Sequence, residues 1–214
     1  MSRESRNPPR RPLTRDEVAR VAAAFAGEFA ARNRALWVVG VTTGYRVMEL
    51  LSLRVFDVWD GERFRHAVRV EPRHMKGGRR SRSCPLPVDA HHALRVWLDD
   101  MAARGWTADD EWLFRSRNGG PLNRIEAWRA IKLACATAGV SGATGTHSCR
   151  KSFSLAVYTA ACQRLAAGEA IDPFLFVSVA LGHRDPVSTR RYLSFLDGDV
   201  ETTVRSLGLF AAKE

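Results

Sequence analysis

Lysine is scarce in this 214-residue chain: Lys76, Lys132, Lys151 and Lys213 are the four present, and the other basic residues are arginine. Gene nucleotide composition alone can produce such a bias, but it also isolates any lysine with a chemical role. Cysteine is equally sparse. Cys84, Cys135, Cys149 and Cys162 share no C-x-x-C spacing, and a chain of this length closes a core without disulfides or zinc, so all four are expected to be reduced, packed residues. No apolar run nears the roughly 20 residues of a membrane span; the longest are ALWVVGV at 35–41 and the interrupted FLFVSVAL at 174–181. The N-terminal MSRESRNPPRRP is basic but lacks the apolar centre of a secretory signal, so a cytoplasmic protein without membrane contact is expected. With 45% hydrophobic and 26% charged residues, the chain is not disordered.

What is in excess is positive charge, a formal net of +10. It is confined to two stretches. Residues 1–15 carry five arginines against one glutamate, and residues 61–82 carry seven arginines and Lys76 against two glutamates; the remainder nets to zero. A surplus concentrated in an N-terminal arm and one internal segment has the form of an electrostatic footprint for a polyanion, most simply nucleic acid. A solvated arm and a solvated hairpin would carry the same charge, so charge alone does not decide.

The pattern along the chain is mainly helical. After a Pro-rich extended arm to residue 12, Thr14 and Glu17 form a capping box that opens an amphipathic helix reaching about residue 32, and a second, apolar helix follows to Thr43. Gly44 breaks the pattern, and RVMELLSL at 46–53 restarts a short helix. VFDVW and RFRHAVRVE read as two strands joined at Asp-Gly, and the segment after the Gly77-Gly78 turn reads as a third ending at Pro85. From Asp89 the period is helical over 88–104, 123–138, 147–166, 173–181, 187–196 and a short tail helix at 199–207. The expected fold class is α+β, mainly helical, with a small three-stranded antiparallel sheet.

Four polar islands stand out in order: TGYRVMELLSL with Arg46, HMKGG with Lys76, GTHSCRKSF with His147 and Arg150, and LGHRDPVSTRRYL with His183 and Tyr192. Each has an ordinary reading by itself. Arg46 could pair with Glu49 at i+3, His147 could start a helix capped by Thr146, Lys76 could be solvated, His183 could satisfy helix C-terminal carbonyls, and Tyr192 could be half-buried packing. Together, in this order and with Tyr192 nine residues after His183, they resemble the tyrosine recombinase, or phage-type integrase, family over about residues 12–196.

The resemblance implies a catalytic domain at 13–198, preceded by a basic arm at 1–12 and followed by a tail at 199–214 that exchanges between protomers. It also implies DNA cleavage and rejoining through a covalent 3′-phosphotyrosine, with no metal, ATP or other cofactor. The chemistry suits the residues. A phosphodiester under attack gathers charge on its nonbridging oxygens, and the planar fork of arginine donates two hydrogen bonds to such oxygens while staying charged. Arg46 and Arg150 are the pair expected there, with Glu49 orienting Arg46. His147 and His183 add donors able to handle protons near neutral pH. Tyr192 is the expected nucleophile because a phenolate, of pKa about 10, is also a competent leaving group in the reverse step. By resemblance, Lys76 is the general acid that protonates the departing 5′-oxygen, although its spacing to the following Pro-Leu is one residue longer than the family pattern. Arg79, Arg80, Arg82, Arg184, Arg190 and Arg191 are candidates for DNA contacts.

The implied partner is double-stranded DNA at a specific site, bound by a tetramer built from protomers that are monomeric when free. Two features depart from the family. Most members carry a helical core-binding domain before the catalytic one, whereas the first catalytic helix here begins by residue 14, as in the few single-domain members such as the fimbrial phase-switch invertases or in a piece cut from a longer chain. The interval from Arg150 to His183 is also extended, around QRLAAGEAIDP. Alternatives with nearly the same residues are a telomere resolvase and a type IB topoisomerase-like enzyme; from another class, a noncatalytic DNA-binding module of the same fold. The target sequence and the outcome (integration, excision, inversion or resolution) depend on base contacts that a sequence does not display.

Overall fold

A computed structural model describes residues 10–74, 81–183 and 186–193, with the backbone alone at 186, 191 and 192. The chain divides into two compact units, residues 1–156 and 157–214.

In the first unit, Thr14 caps helix α1 (Arg15–Ala23) through its side chain on the Glu17 N–H, with the Glu17 carboxylate returning to the Thr14 N–H, as the capping box predicts. The helix ends well short of residue 32. Gly27 adopts a φ of +84° in a turn, and Phe25 leaves the helix direction to pack at 6.4 Å from the Trp37 ring. Helix α2 (Ala30–Thr43) is buried on more than one side, which explains its almost unbroken apolar sequence. Leu36 and Val39 meet Leu94, Trp97 and Met101 of helix α4 (Val88–Ala103) in one core. Trp37 meets Val21, Ile131 and Cys149 in a second, built with helix α5 (Arg124–Thr137) and the start of helix α6 (Thr146–Ala166). The buried indole of Trp37 still finds an acceptor, the carbonyl of Val18 at 3.1 Å.

Between α2 and α4 lie the short helix α3 (Val47–Leu51) and an antiparallel pair, β1 (Ala67–Val70) and β2 (Arg82–Pro85), with Val68 opposite Cys84. Two strands, not the expected three, form the sheet among the described residues. VFDVW fails as a strand because Asp57 accepts the Arg54 N–H at 2.8 Å and folds Val55–Asp57 into a 3-10 turn. The Val55 and Phe56 N–H groups then bond to Glu111 and Asp109 carbonyls, leaving one bridge, Trp59 to Phe64, of the expected hairpin.

In the second unit, the distal part of α6 is followed by helix α7 (Pro173–Leu181), capped by Asp172 on the Phe174 and Leu175 N–H groups, and by helix α8 (Pro186–Leu193). α8 covers the expected helix as far as Leu193, and residues 194–196 and the expected tail helix at 199–207 lie outside the described residues. No helix among the described residues is long and apolar enough to cross a membrane. The four cysteines are free thiols, buried at Cys84, Cys135 and Cys149 and half-buried at Cys162.

The turn out of α2 makes the strictest demand on sequence. Gly44 sits at φ +63°, and a Cβ there would stand 2.8 Å from Phe153 Cγ and closer still to Cδ1. Both the left-handed backbone and the ring exclude a side chain. Gly44→Ala is therefore expected to cost about 2–4 kcal/mol, the sum of left-handed strain and overpacking, measured by urea unfolding. Phe153→Ala should remove the clash but not the backbone strain, so Gly44→Ala costing as much in the Phe153→Ala background as in wild type would contradict the packing argument.

Candidate active site

The last carbonyls of α2 have no partner within the helix and carry its negative dipole end. Two buried arginines meet them. Arg82 Nη2 donates to Thr43 O at 2.5 Å, and Arg150 Nη1 donates to Gly44 O. The Arg82 guanidinium also lies over the Tyr45 ring, 4.3 Å from its centre. Tyr45 is itself buried, its hydroxyl seated between the Arg82 and Val68 carbonyls at 2.7 and 3.1 Å, which ties the α2 turn to both strands. Arg82 thus turns inward, correcting its expected place on a DNA-facing surface. Tyr45 is a core residue whose hydroxyl burial pushes up from its ordinary range.

Residue 46 follows directly. Arg46 is the N-cap of α3 in extended conformation. Glu49, 1% exposed, accepts the Arg46 backbone N–H at 2.7 Å through one carboxylate oxygen and Arg46 Nη1 at 2.9 Å through the other. A buried carboxylate with its donors in place fixes the direction of a half-exposed guanidinium. Arg150 is on the first turns of α6, 1% exposed, and close enough to His147 for its charge to act on the imidazole.

Above them opens a concavity of about 560 Å³ lined by Arg46, Glu49 and His147, together with Arg10, His74, Arg124, Met48, Ile125 and Trp128. Its cations far outnumber its one carboxylate. The His147 imidazole feels this: desolvation first, then the charges of Arg46, Arg150, Lys151 and Arg10, hold it below the ordinary histidine range. The charge and donor geometry of such a cavity suit an anion with several dispersed oxygens.

In the second unit, Gly182 closes α7 at φ +65°, and the His183 N–H bonds back to Ser178 O at 2.9 Å. His183 Nδ1 lies 2.9 Å from the hydroxyl of Thr189, which is fully buried on α8 and orients the ring. Tyr192 lies on the last turn of α8, one turn beyond Thr189. Arg190 is exposed on the same helix. Lys76, Arg79, Arg80 and Arg184 fall outside the described residues, as do the side chains of Arg191 and Tyr192. The structure therefore brings Arg46, Glu49 and His147 to one cavity, with Arg150 buried near His147.

Among the lining side chains that sequence reasoning does not assign to the site are three basic ones, Arg10, His74 and Arg124, and the indole of Trp128. A signal for two of them exists in the sequence. Asn123 and Glu126 cap α5, so Arg124 and Trp128 stand one turn apart at its beginning.

Over residues 11–197 the sequence matches the Phage integrase family. It is 30% identical over 186 residues to the type 1 fimbriae regulatory protein FimB of Escherichia coli K12, covering 86% of this chain and 84% of that one. With the tyrosine recombinase XerD of Mycobacterium tuberculosis it shares 33% over 131 residues, 59% of this chain and 39% of XerD. Among solved structures, the XerA recombinase aligns at 25% identity and a TM-score of 0.66, over 90% of this chain and 61% of that one. The XerH recombinase bound to palindromic difH substrate aligns at 22% identity and 0.69, over 96% and 55%, a likeness of fold. This chain spans a little over half the length of those two recombinases.

The cationic surroundings of His147 have a measurable consequence. Because its folded pKa is lowered from the ordinary 6.5, the unfolded chain takes up the proton first as pH falls; the histidine's contribution to stability is complete above 6.5 and declines below it. In DNA-free protein, NMR titration should place His147 below 6.5, and Arg46→Ala should move it upward by removing a repelling charge. A wild-type value above 6.5 would contradict the electrostatics.

Proposed function

The chain belongs to the phage integrase family of tyrosine-type site-specific recombinases, and on that premise we propose that it cuts and rejoins double-stranded DNA at a specific site through a covalent 3′-phosphotyrosine on Tyr192, without metal or nucleotide cofactor. The observation that carries this reading is the common seating of Arg46 on buried Glu49, Arg150 on the Gly44 carbonyl, and His147 at the rim of one cation-rich cavity.

In this mechanism the scissile phosphate enters the cavity and its nonbridging oxygens are held by Arg46 and Arg150, with His147 as a further donor. The Tyr192 hydroxyl gives its proton to one of the two histidines as its oxygen attacks phosphorus, the phosphorus to 5′-oxygen bond breaks, and Lys76 gives that 5′-oxygen its proton. His183, oriented by Thr189, donates to a nonbridging oxygen. Since the new phosphotyrosyl bond retains the energy of the broken one, a second 5′-hydroxyl reverses the step without ATP. The preset directions of the guanidiniums matter most, because donors already in place need no reorganisation as charge develops. The crystal structures of XerH with difH substrate and of the lambda integrase dimer with a COC′ core site support duplex DNA as the partner.

With a duplex selected by the protein from random sequence, Tyr192→Phe should bind normally yet give no SDS-stable protein–DNA adduct, and Arg46→Ala should slow adduct formation at least about 100-fold. Arg150 is buried, so Arg150→Lys, with circular dichroism to verify folding, is the informative variant there. Lys76→Ala should fail on ordinary DNA and recover on a substrate with a 5′-bridging sulfur, whose thiolate leaves unprotonated. An adduct surviving in Tyr192→Phe, or strict Mg²⁺ dependence, would overturn the mechanism.

We further propose that residues 1–12 are a basic arm of a catalytic domain at 13–198, and that the tail at 199–214 is exchanged between protomers, monomeric when free and tetrameric on DNA. Val200, Val204 and Leu207 recur at helical spacing, with Leu209 and Phe210 after them. Deleting 199–214 should leave a folded monomer that binds DNA without forming higher-order complexes, read by sedimentation and native gel shift. A deletion variant that still assembles would refute the exchange.

A further inference from the structure

We propose that Arg10, delivered by the N-terminal arm, is an additional phosphate-binding residue of the candidate active site, and that Arg11 and Glu17 are positioning residues that latch it there. The proposal rests on the reading of the cavity as a phosphodiester site.

Arg10 and Arg11 are adjacent, and their environments are opposite. Arg11 is consumed structurally. Its guanidinium forms a two-pronged pair with Glu17 at 2.6 and 2.7 Å and donates to Ser141 O at 2.8 Å, while its backbone N–H donates to Ala143 O at 3.1 Å. Two residues on, the Leu13 N–H donates to the Ser152 hydroxyl at 2.8 Å. The arm is thus pinned at residues 11 and 13, to the loop before α6 and to α6 itself. With Arg11 held toward Glu17, Arg10 lines the cavity shared with Arg46 and His147.

Arg10 reaches the cavity over Gly145, the residue before α6. A Cβ at Gly145 would stand 3.8 Å from Arg10 Nε and 3.4 Å from Trp128 Nε1, so the two side chains converge above the helix start. Among the described residues Arg10 makes no hydrogen bond or ion pair, in contrast to Arg11 beside it and Arg46 across the cavity. A half-buried guanidinium held by its backbone and facing other cations raises the local potential and lacks a counter-charge; an anion supplies both needs.

The latch endures at working pH. The Arg11 hydrogen bonds hold the Glu17 carboxyl at about 2, so the stabilisation it provides is complete above the unfolded range near 4.5 and is lost only as pH falls toward 2. Arg10 is therefore presented whenever the arm is docked, and the arm couples chain outside the catalytic helices to the charge inside the cavity.

The test needs no knowledge of the DNA target. Inorganic phosphate is titrated into the full chain and followed through the His147 imidazole resonances, assigned by their loss in His147→Gln. Arg10→Ala should weaken phosphate at least about tenfold, as removal of one charge-assisted hydrogen bond does. Arg10→Lys should recover part of the loss, and Glu17→Gln should weaken phosphate with Arg10 intact. Thermal unfolding of Arg10→Ala should match wild type, since the side chain carries no internal bond. Unchanged affinity in Arg10→Ala alongside loss in Arg46→Ala would overturn the role of Arg10 and leave the phosphate site standing. Absence of phosphate binding by the wild-type chain would overturn both. Weakening by Arg10→Ala with no effect of Glu17→Gln would retain the contact and remove the latch.

Discussion

Two carbonyls at the end of one helix hold the candidate site together. α2 finishes with Thr43 O and Gly44 O pointing out of its dipole end, and each takes a buried guanidinium, Arg82 from the sheet and Arg150 from α6. Three separate stretches of chain are thereby referred to one point. Arg46, two residues beyond that point, inherits its position from it, and Glu49 sets its direction. The left-handed turn at Gly44 makes this arrangement sterically available, because any side chain there would occupy the space of the Phe153 ring.

The charges involved are placed where a purely structural solution would avoid them. Glu49 and Arg150 are each 1% exposed, and taking such groups out of water costs several kcal/mol per ion before any partner is counted. Each partner recovers part of that cost, yet an apolar residue of similar size would fill the space without it. What an apolar residue lacks is the hydrogen bonding by which Glu49 directs Arg46 and Arg150 ties α6 to the end of α2. Folding settles the desolvation in advance, so under the proposed phosphate role an entering anion would meet a guanidinium at Arg46 that need not turn.

Much of this was legible in the sequence, for reasons that differ by element. The helices from α4 to α7 were evident because apolar period and breakers agree: Gly105, Gly139 and Gly182 all adopt positive φ at or just beyond helix ends. Arg46 with Glu49 was evident because i and i+3 on one turn fall together. The third strand was misread because VFDVW has strand composition, while the deciding interaction, Asp57 turning back on the Arg54 N–H, is a local hydrogen bond that composition does not reveal. Likewise α1 ends early because Trp37, distant in sequence, attracts Phe25. Arg82 and Arg11 were counted with the polyanion footprint because charge counts cannot see direction; one lies under Thr43 and the other on Glu17. The extension between Arg150 and His183 resolves into the end of α6, a short connection and the Asp172 cap of α7.

The distribution of the four thiols has a practical side. Burial pushes Cys84, Cys135 and Cys149 up, Cys149 to about 12, so in the folded protein these three in the first unit are shielded both by packing and by the scarcity of thiolate. Cys162, half-buried and in the second unit, is the accessible one. A maleimide fluorophore added to the native chain would therefore attach at Cys162 without any engineered cysteine, giving an optical reporter on the unit that carries His183 and Tyr192 while leaving the arginine-bearing unit chemically untouched.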